Sequence, residues 1–188
     1  MHQHPFVIVT GVDANDRPVA THVPVLIEER DGKMFLLAHI MKQTDHHLAF
    51  EQNEEVLVIF TGPHTYVSAS WYKDQRQGGT WNYQTVHARG KLKFLPDADL
   101  LQLLHRLTEY FENNPSSPSL VKHLPEDYVN RLMKAIVAFE IEVTDIAHVF
   151  KLSQNRDQES YKNIINHLMA GGCEAKQIAS LMEQNSRQ

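Results

Sequence analysis

The residues of this 188-residue chain best suited to chemistry are its histidines and its clustered aromatics. Twelve histidines stand against a single cysteine, Cys173. Four of them, His22, His39, His64 and His87, fall in or beside stretches that read as strands. Histidines carried on strands can converge on one face and hold a metal, or a phosphate once protonated. The competing reading makes each a partly buried side chain with its own hydrogen bond. That reading is favoured over metal, because no Asp or Glu sits beside them at ligand spacing. His46-His47 falls on a short helix, where adjacent positions point apart, so the pair reads as surface.

Three denser segments stand out. The first is Gly62-Pro63-His64-Thr65-Tyr66-Val67-Ser68-Ala69-Ser70-Trp71-Tyr72. The second is Gly79-Thr80-Trp81-Asn82-Tyr83-Gln84-Thr85-Val86-His87. The third is Lys151-Leu152-Ser153-Gln154-Asn155-Arg156. The first two interleave large rings with small hydroxyl donors. That suits a planar ligand, with ring faces packing and hydroxyls or amides fixing its edges. The third bunches polar donors after an apolar strand, which suits an anionic or carbonyl-rich ligand. Aromatic core packing with a polar strand end explains the same composition. No Rossmann or Walker glycine loop is present, and no Gly-x-Ser-x-Gly elbow.

The elements that must position these residues are legible from periodicity. Phe6 to Thr10, Ala20 to Ile27 and Lys33 to His39 read as strands joined by turns at Val12 to Pro18 and Glu28 to Gly32. Met41 to Asn53 reads as a short crossing helix. Val56 to Phe60 is a buried-type strand, Gly62-Pro63 a corner, and Tyr66-Val67 an extension. Asp74 to Gly79 reads as a loop. Thr80 to Leu95 is one long strand, or two with a bend at Gly90. Asp97 to Phe111 is a helix capped by Asp97, with Leu100, Leu101, Leu103, Leu104 and Leu107 as its apolar face. A loop over Asn113 to Ser119, a helix over Pro125 to Met133 and a strand over Lys134 to Leu152 follow. Two last helices, Ser160 to Met169 and Glu174 to Gln184, are split by Gly171-Gly172, with Asn185 to Gln188 expected to fray. Strands and helices do not alternate regularly, which disfavours a doubly wound or TIM layout and favours an α+β fold, a β-barrel decorated with helices.

The formal net charge of -5 argues against a surface built to attract nucleic acid everywhere. With one cysteine no intrachain disulfide forms, and the cytosol is the natural compartment. No apolar run approaches bilayer length, and Met1 to Pro5 lacks signal-peptide character.

In order and content, the three segments resemble the PaiB family, described as FMN-binding negative transcriptional regulators. Gly62 to Tyr72, Thr80 to Gly90 and Lys151 to Arg156 match its motifs. Ala20-Thr21-His22-Val23-Pro24 and His39 with Met41-Lys42-Gln43 match two earlier ones. The chain departs from the pattern in three places. The family usually has further residues, including an aromatic–proline stretch, before the strand equivalent to Pro5 to Thr10, where this sequence starts at Met1, a difference that would bear on dimer packing or cover of the site. Gly79 stands where proline is frequent, and Ala38 where glycine is frequent.

The resemblance implies a split β-barrel of the FMN-binding type, related to pyridoxamine-phosphate oxidases, over residues 1–156 with a helical insertion at 97–133. Residues 157–188 form a C-terminal helical appendage. It implies a homodimer with FMN at the subunit interface. His39, Lys42 and Gln43 are then the expected phosphate contacts, aided by a helix N-terminus. Thr21, His22 and Val23 would face the isoalloxazine edge, and Ser68, Ser70 and Trp71 would flank the groove. Trp81 and Asn82 would come from the partner subunit or the groove wall. Lys151, Ser153, Gln154, Asn155 and Arg156 would sit near the flavin or clasp the dimer.

Function stays open between three readings. One is a regulator acting through or sensing flavin. Its direct DNA binding is doubtful, since Lys162, Lys176 and Arg187 in the C-terminal helical pair are offset by Glu159, Glu174 and Glu183. Another is an FMN-dependent oxidoreductase, NAD(P)H being one donor and His22, His64 or His87 the proton donors by type. The last is a heme-binding split barrel.

Overall fold

The computed structural model describes residues 1–185. Arg187 and the chain end expected to fray beyond Asn185 lie outside the described residues. Seven strands form one sheet in the order β2-β1-β5-β6-β7-β4-β3: β1 Phe6–Val12, β2 Pro18–Pro24, β3 Leu26–Arg30, β4 Lys33–Met41, β5 Glu55–Val67, β6 Thr80–Phe94 and β7 Ile136–Lys151. Five helices accompany them: α1 Asp45–Gln52, α2 Asp97–Glu112, α3 Glu126–Met133, α4 Gln158–Met169 and α5 Cys173–Asn185. The chain divides into two compact units, residues 1–60 with 87–146, and residues 61–86 with 147–188.

In the first unit β1 and β2 form an antiparallel hairpin from Phe6↔Pro24 to Val12↔Pro18, and β3 and β4 a second one. β4 also pairs antiparallel with β7, from Phe35↔Glu142 to Met41↔Ile136. Alternation sends Val7, Val9, Leu36, Ala38, Phe139 and Ile141 into the core. Helix α2 forms because its leucines recur on one face. Leu100, Leu103 and Leu107 are buried with Leu26, Leu37 and Ala138. Its start corrects one expectation. The capping position belongs to Pro96, Asp97 is already helical, and no side chain caps the end. The ring of Pro96 pre-sets φ, here -62°, and Asp97 and Asp99 instead favour the first turn through the helix dipole.

At two glycines the strand is continuous. β6 is one strand through Gly90, where an added Cβ would run into the Glu142 carbonyl oxygen and the Ile141 side chain. Gly90 marks a close approach, not a turn. Likewise β5 runs on through Gly62-Pro63. A Cβ at Gly62 would lie 3.1 Å from the Gln84 Cβ, so glycine there lets the chains come together. Pro63 lies beyond the 57–59 stretch that pairs with β1, so its missing N–H breaks none of those pairs.

In the second unit α4 and α5 pack as an antiparallel pair. Ile164, Leu168, Ile178, Ala179 and Met182 share a core with Val67, Tyr72 and Leu152. Asp157 caps α4 by accepting from the backbone N–H of Ser160 at 3.0 Å. Tyr161 Oη donates to the Met182 carbonyl at 2.7 Å and ties the two helices together. No helix among the described residues is long and apolar enough to cross a membrane.

Candidate functional site

Within the first unit, the end of β2, the end of β4 and the start of α1 surround a cleft of about 350 Å³. Thr21, His22, Val23, His39, Thr44 and His46 are among its walls, with Ile136 of β7. The antiparallel hairpin turns Val23 into the core and leaves His22 exposed, its ring 6.1 Å from Phe6. His39 is half-buried, and its Nδ1 is a buried atom with no hydrogen-bond partner. Burial pushes this imidazole below its ordinary value of 6.5, because the charged form loses water.

β4 ends in a turn at Gln43, whose φ of 63° is left-handed. Thr44 then caps α1, its Oγ accepting from the His47 N–H at 3.3 Å and donating to the Met41 carbonyl at 3.1 Å. Asp45 Oδ1 accepts from the His46 N–H at 2.8 Å and lies 3.0 Å from His46 Nδ1. These contacts, the backbone bond first, hold the Asp45 carboxyl below its usual range.

The cleft therefore contains four of the residues expected at the flavin, namely Thr21, His22, Val23 and His39. It adds Thr44 and His46, which the sequence reading missed. Lys42 and Gln43 follow in the chain but do not line it. Lys42 Nζ lies 3.8 Å from Asp97 Oδ1. The expectation that His46-His47 is surface is corrected. His47 is only 5% exposed, against Phe94 at 5.0 Å between rings, and His46 is half-buried. The cap Thr44 starts the helix just before them, and the run Thr44-Asp45-His46-His47 was the signal available for that.

The other expected residues lie in the second unit. Ser68 and Ser70 are joined through their hydroxyls at 2.8 Å at the start of a short 3-10 helix, Ala69–Trp71. Trp71 stacks on His167, rings 4.8 Å apart and 9° from parallel. Trp81 is half-exposed, 6.0 Å from the Tyr66 ring. Asn82 is fully buried, and its amide is engaged by Ser153 Oγ at 2.9 Å and by Met182 Sδ at 3.4 Å. Lys151 donates to Thr80 Oγ1 at 2.5 Å. Gln154 folds back on its own strand, accepting from the Leu152 N–H at 2.7 Å. Asn155 is exposed. Arg156 lies 4.0 Å over the Tyr72 ring and also donates to Gln77. Among the described residues no group of three His, Cys, Asp or Glu side chains is placed to hold a metal.

The first-unit cleft fits a phosphorylated flavin. Its apolar wall of Val23, Ile40 and Ile136 suits a ring edge, and Thr21, His22, His39 and His46 supply polar groups around it. Fold and cleft together define a flavin-binding protein of the split β-barrel class. The same fold occurs in the FAD and heme binding protein from Mycobacterium smegmatis, with a TM-score of 0.59, 16% identity and coverage of 90% of this chain and 73% of that one. It recurs in the flavocytochrome Anf3 from Azotobacter vinelandii, with a TM-score of 0.59, 14% identity and coverage of 84% and 67%.

The chain belongs to the family described as "Putative FMN-binding domain", whose model matches residues 1–145. It is 38% identical over 168 residues to the protease synthase and sporulation protein PAI 2 of Bacillus subtilis (strain 168), covering 89% of this chain and 81% of the relative. The PaiB resemblance is thereby established, and FMN is the cofactor that goes with the family.

Proposed function

We propose that this chain is a cytoplasmic, homodimeric PaiB-like protein that holds FMN in the β2–β4–α1 cleft and takes part in negative transcriptional regulation through that flavin. The observation that carries the cofactor assignment is the match of residues 1–145 to the FMN-binding family, in a unit whose cleft gathers Thr21, His22, Val23 and His39. When bound, FMN supplies electron and hydride chemistry. The chain's part is to position it. In this reading Thr21, His22 and Val23 border the isoalloxazine edge, and the end of β4 receives the phosphate.

The second unit supports dimerisation. Residues 147–151 of β7 are all exposed, with Val149 at 45% and Phe150 at 43%. Apolar strand surface of this kind is normally covered by protein. The motif from Lys151 to Arg156 ends that strand, and Ser68, Ser70, Trp71, Trp81 and Asn82 belong to the same unit. We assign the exposed members of this set, Ser70, Trp81, Lys151, Gln154 and Asn155, to the dimer clasp, while Asn82 and Ser153 are buried within the chain. Direct operator binding is not part of the proposal. On α4 and α5, Lys162 and Lys176 are opposed by Glu159, Glu174 and Glu183, which forms no basic face.

Heme in the same cleft is the second reading, favoured by the imidazoles of His22, His39 and His46 among the residues that line it. Ligand-stripped protein titrated with FMN, riboflavin, FAD and heme decides between them. Micromolar or tighter FMN binding with quenched flavin fluorescence supports the proposal. A Soret band with no flavin binding replaces it with the heme reading. Bleaching of bound FMN by NADPH with turnover would add an oxidoreductase activity.

A further inference from the structure

The geometry points to a second small-molecule site, apart from the flavin cleft, at the last turns of α2: two adjoining hollows that together take a free α-amino acid with a large apolar side chain.

The first hollow, about 280 Å³, lies between the β2–β3 junction and α2. Val25 and Leu26 are buried, and with Ile27 and Pro5 they make an apolar floor. The Val25 N–H already donates to the Pro5 carbonyl at 2.9 Å, so the floor offers surface more than donors. Half-exposed Tyr110 is a wall of the same hollow. A cavity of about 150 Å³ already takes a benzene ring, which leaves room here for a phenylalanine or leucine side chain. Arg106 also lines the hollow, but its guanidinium is held by Glu28 of β3.

The second hollow, about 260 Å³, has Asn113, Asn114, Leu120 and Lys122 in its lining. Glu109 lines both hollows. Glu109 Oε1 and Lys122 Nζ stand 3.9 Å apart, and both side chains are about half exposed. A pair that long and that open to water holds little energy, so its two charges turn to a ligand at small cost. Asn114 Oδ1 accepts from the Ser116 N–H at 3.0 Å, which leaves the amide N–H groups of Asn114 as donors.

An apolar body carrying one ammonium and one carboxylate matches this lining. The ammonium goes to Glu109, where the carbonyl end of α2 adds to the attraction. No basic side chain of the helix's own last turn competes for that end. The carboxylate goes to Lys122 and the Asn114 amide, and the side chain to Val25, Leu26 and Ile27. Each charge of the zwitterion then meets an opposite one, and its apolar part leaves water. None of these residues lines the β2–β4–α1 cleft, so amino acid and flavin do not compete for the same groups.

Calorimetric titration of the full chain with L-phenylalanine tests the inference. Glycine, L-phenylalaninamide and hydrocinnamate lack the side chain, the carboxylate and the ammonium in turn. Each should bind at least about tenfold more weakly than phenylalanine. Phenylalaninamide also stands for the N-terminus of a peptide. Glu109→Gln and Lys122→Ala should each weaken phenylalanine by a similar factor, while their thermal melts and FMN titrations stay at wild type.

An analogue that binds as well as phenylalanine overturns the inference, because one of the three groups is then not read. Phenylalanine affinity unchanged in both variants overturns it as well, and so does the absence of phenylalanine binding to the folded chain. FMN titrated into the same preparation separates these failures from a failure of the flavin assignment.

Discussion

Ser153 Oγ donates a 2.9 Å hydrogen bond to Asn82 Oδ1 in the interior of the second unit, joining two segments 71 residues apart. Ser153 reaches it from a left-handed backbone position, φ 60°, and Asn82 Nδ2 is directed at Met182 Sδ. Two polar residues from two motifs of ligand-binding type thus satisfy each other. Asn82→Ala should cost about 1–3 kcal/mol, because Ser153 is left buried without its partner. Urea unfolding measures this. FMN affinity should stay near wild type, and a selective loss of FMN with unchanged stability would return Asn82 to the flavin site.

Gly90 gives a second check. An alanine methyl there meets the Glu142 carbonyl oxygen and the Ile141 side chain, neither of which can retreat without opening the sheet. Gly90→Ala should destabilise by about 1–3 kcal/mol. Gly78→Ala, with nothing within 4 Å of its added methyl, should change stability by less than about 0.5 kcal/mol. Paired denaturation curves decide it.

The half-buried His39 sets a pH dependence for the FMN-free protein. Its folded pKa is depressed below 6.5 by desolvation. Below 6.5 the unfolded chain takes up a proton that the folded one resists, so stability is full above that pH and falls as pH drops towards the depressed value. Thermal melts from neutral to acid pH should show the decline, and His39→Asn should flatten it.

The exposed end of β7 makes a prediction for assembly. Light scattering should give twice the chain mass. Val149→Asp with Phe150→Asp should yield folded monomers, because a buried unpaired carboxylate in a dimer interface is costly. A wild-type monomer, or a double variant that stays dimeric, removes this surface from the interface.

Much was written locally in the chain. Strands at Lys33 to His39 and over Thr80 to Leu95, the leucine face of α2 and the glycine break before α5 follow from side-chain type, helical periodicity and backbone steric rules, which act over a few residues. The motifs at Gly62, Thr80 and Lys151 pointed to the FMN-binding family without coordinates. What the sequence could not decide is which polar groups are spent on other protein groups. Lys42 sits within three residues of His39, and only the approach of α2 turns it to Asp97. His47 looks as exposed as His46 until Phe94, 47 residues away, covers it. Gly62 and Gly90 carry the signature of bends, and neighbouring strands make them points of contact instead. Burial and hydrogen-bond occupancy depend on groups distant in sequence, so only the tertiary structure separates His39, left without a partner, from Asn82, which has two.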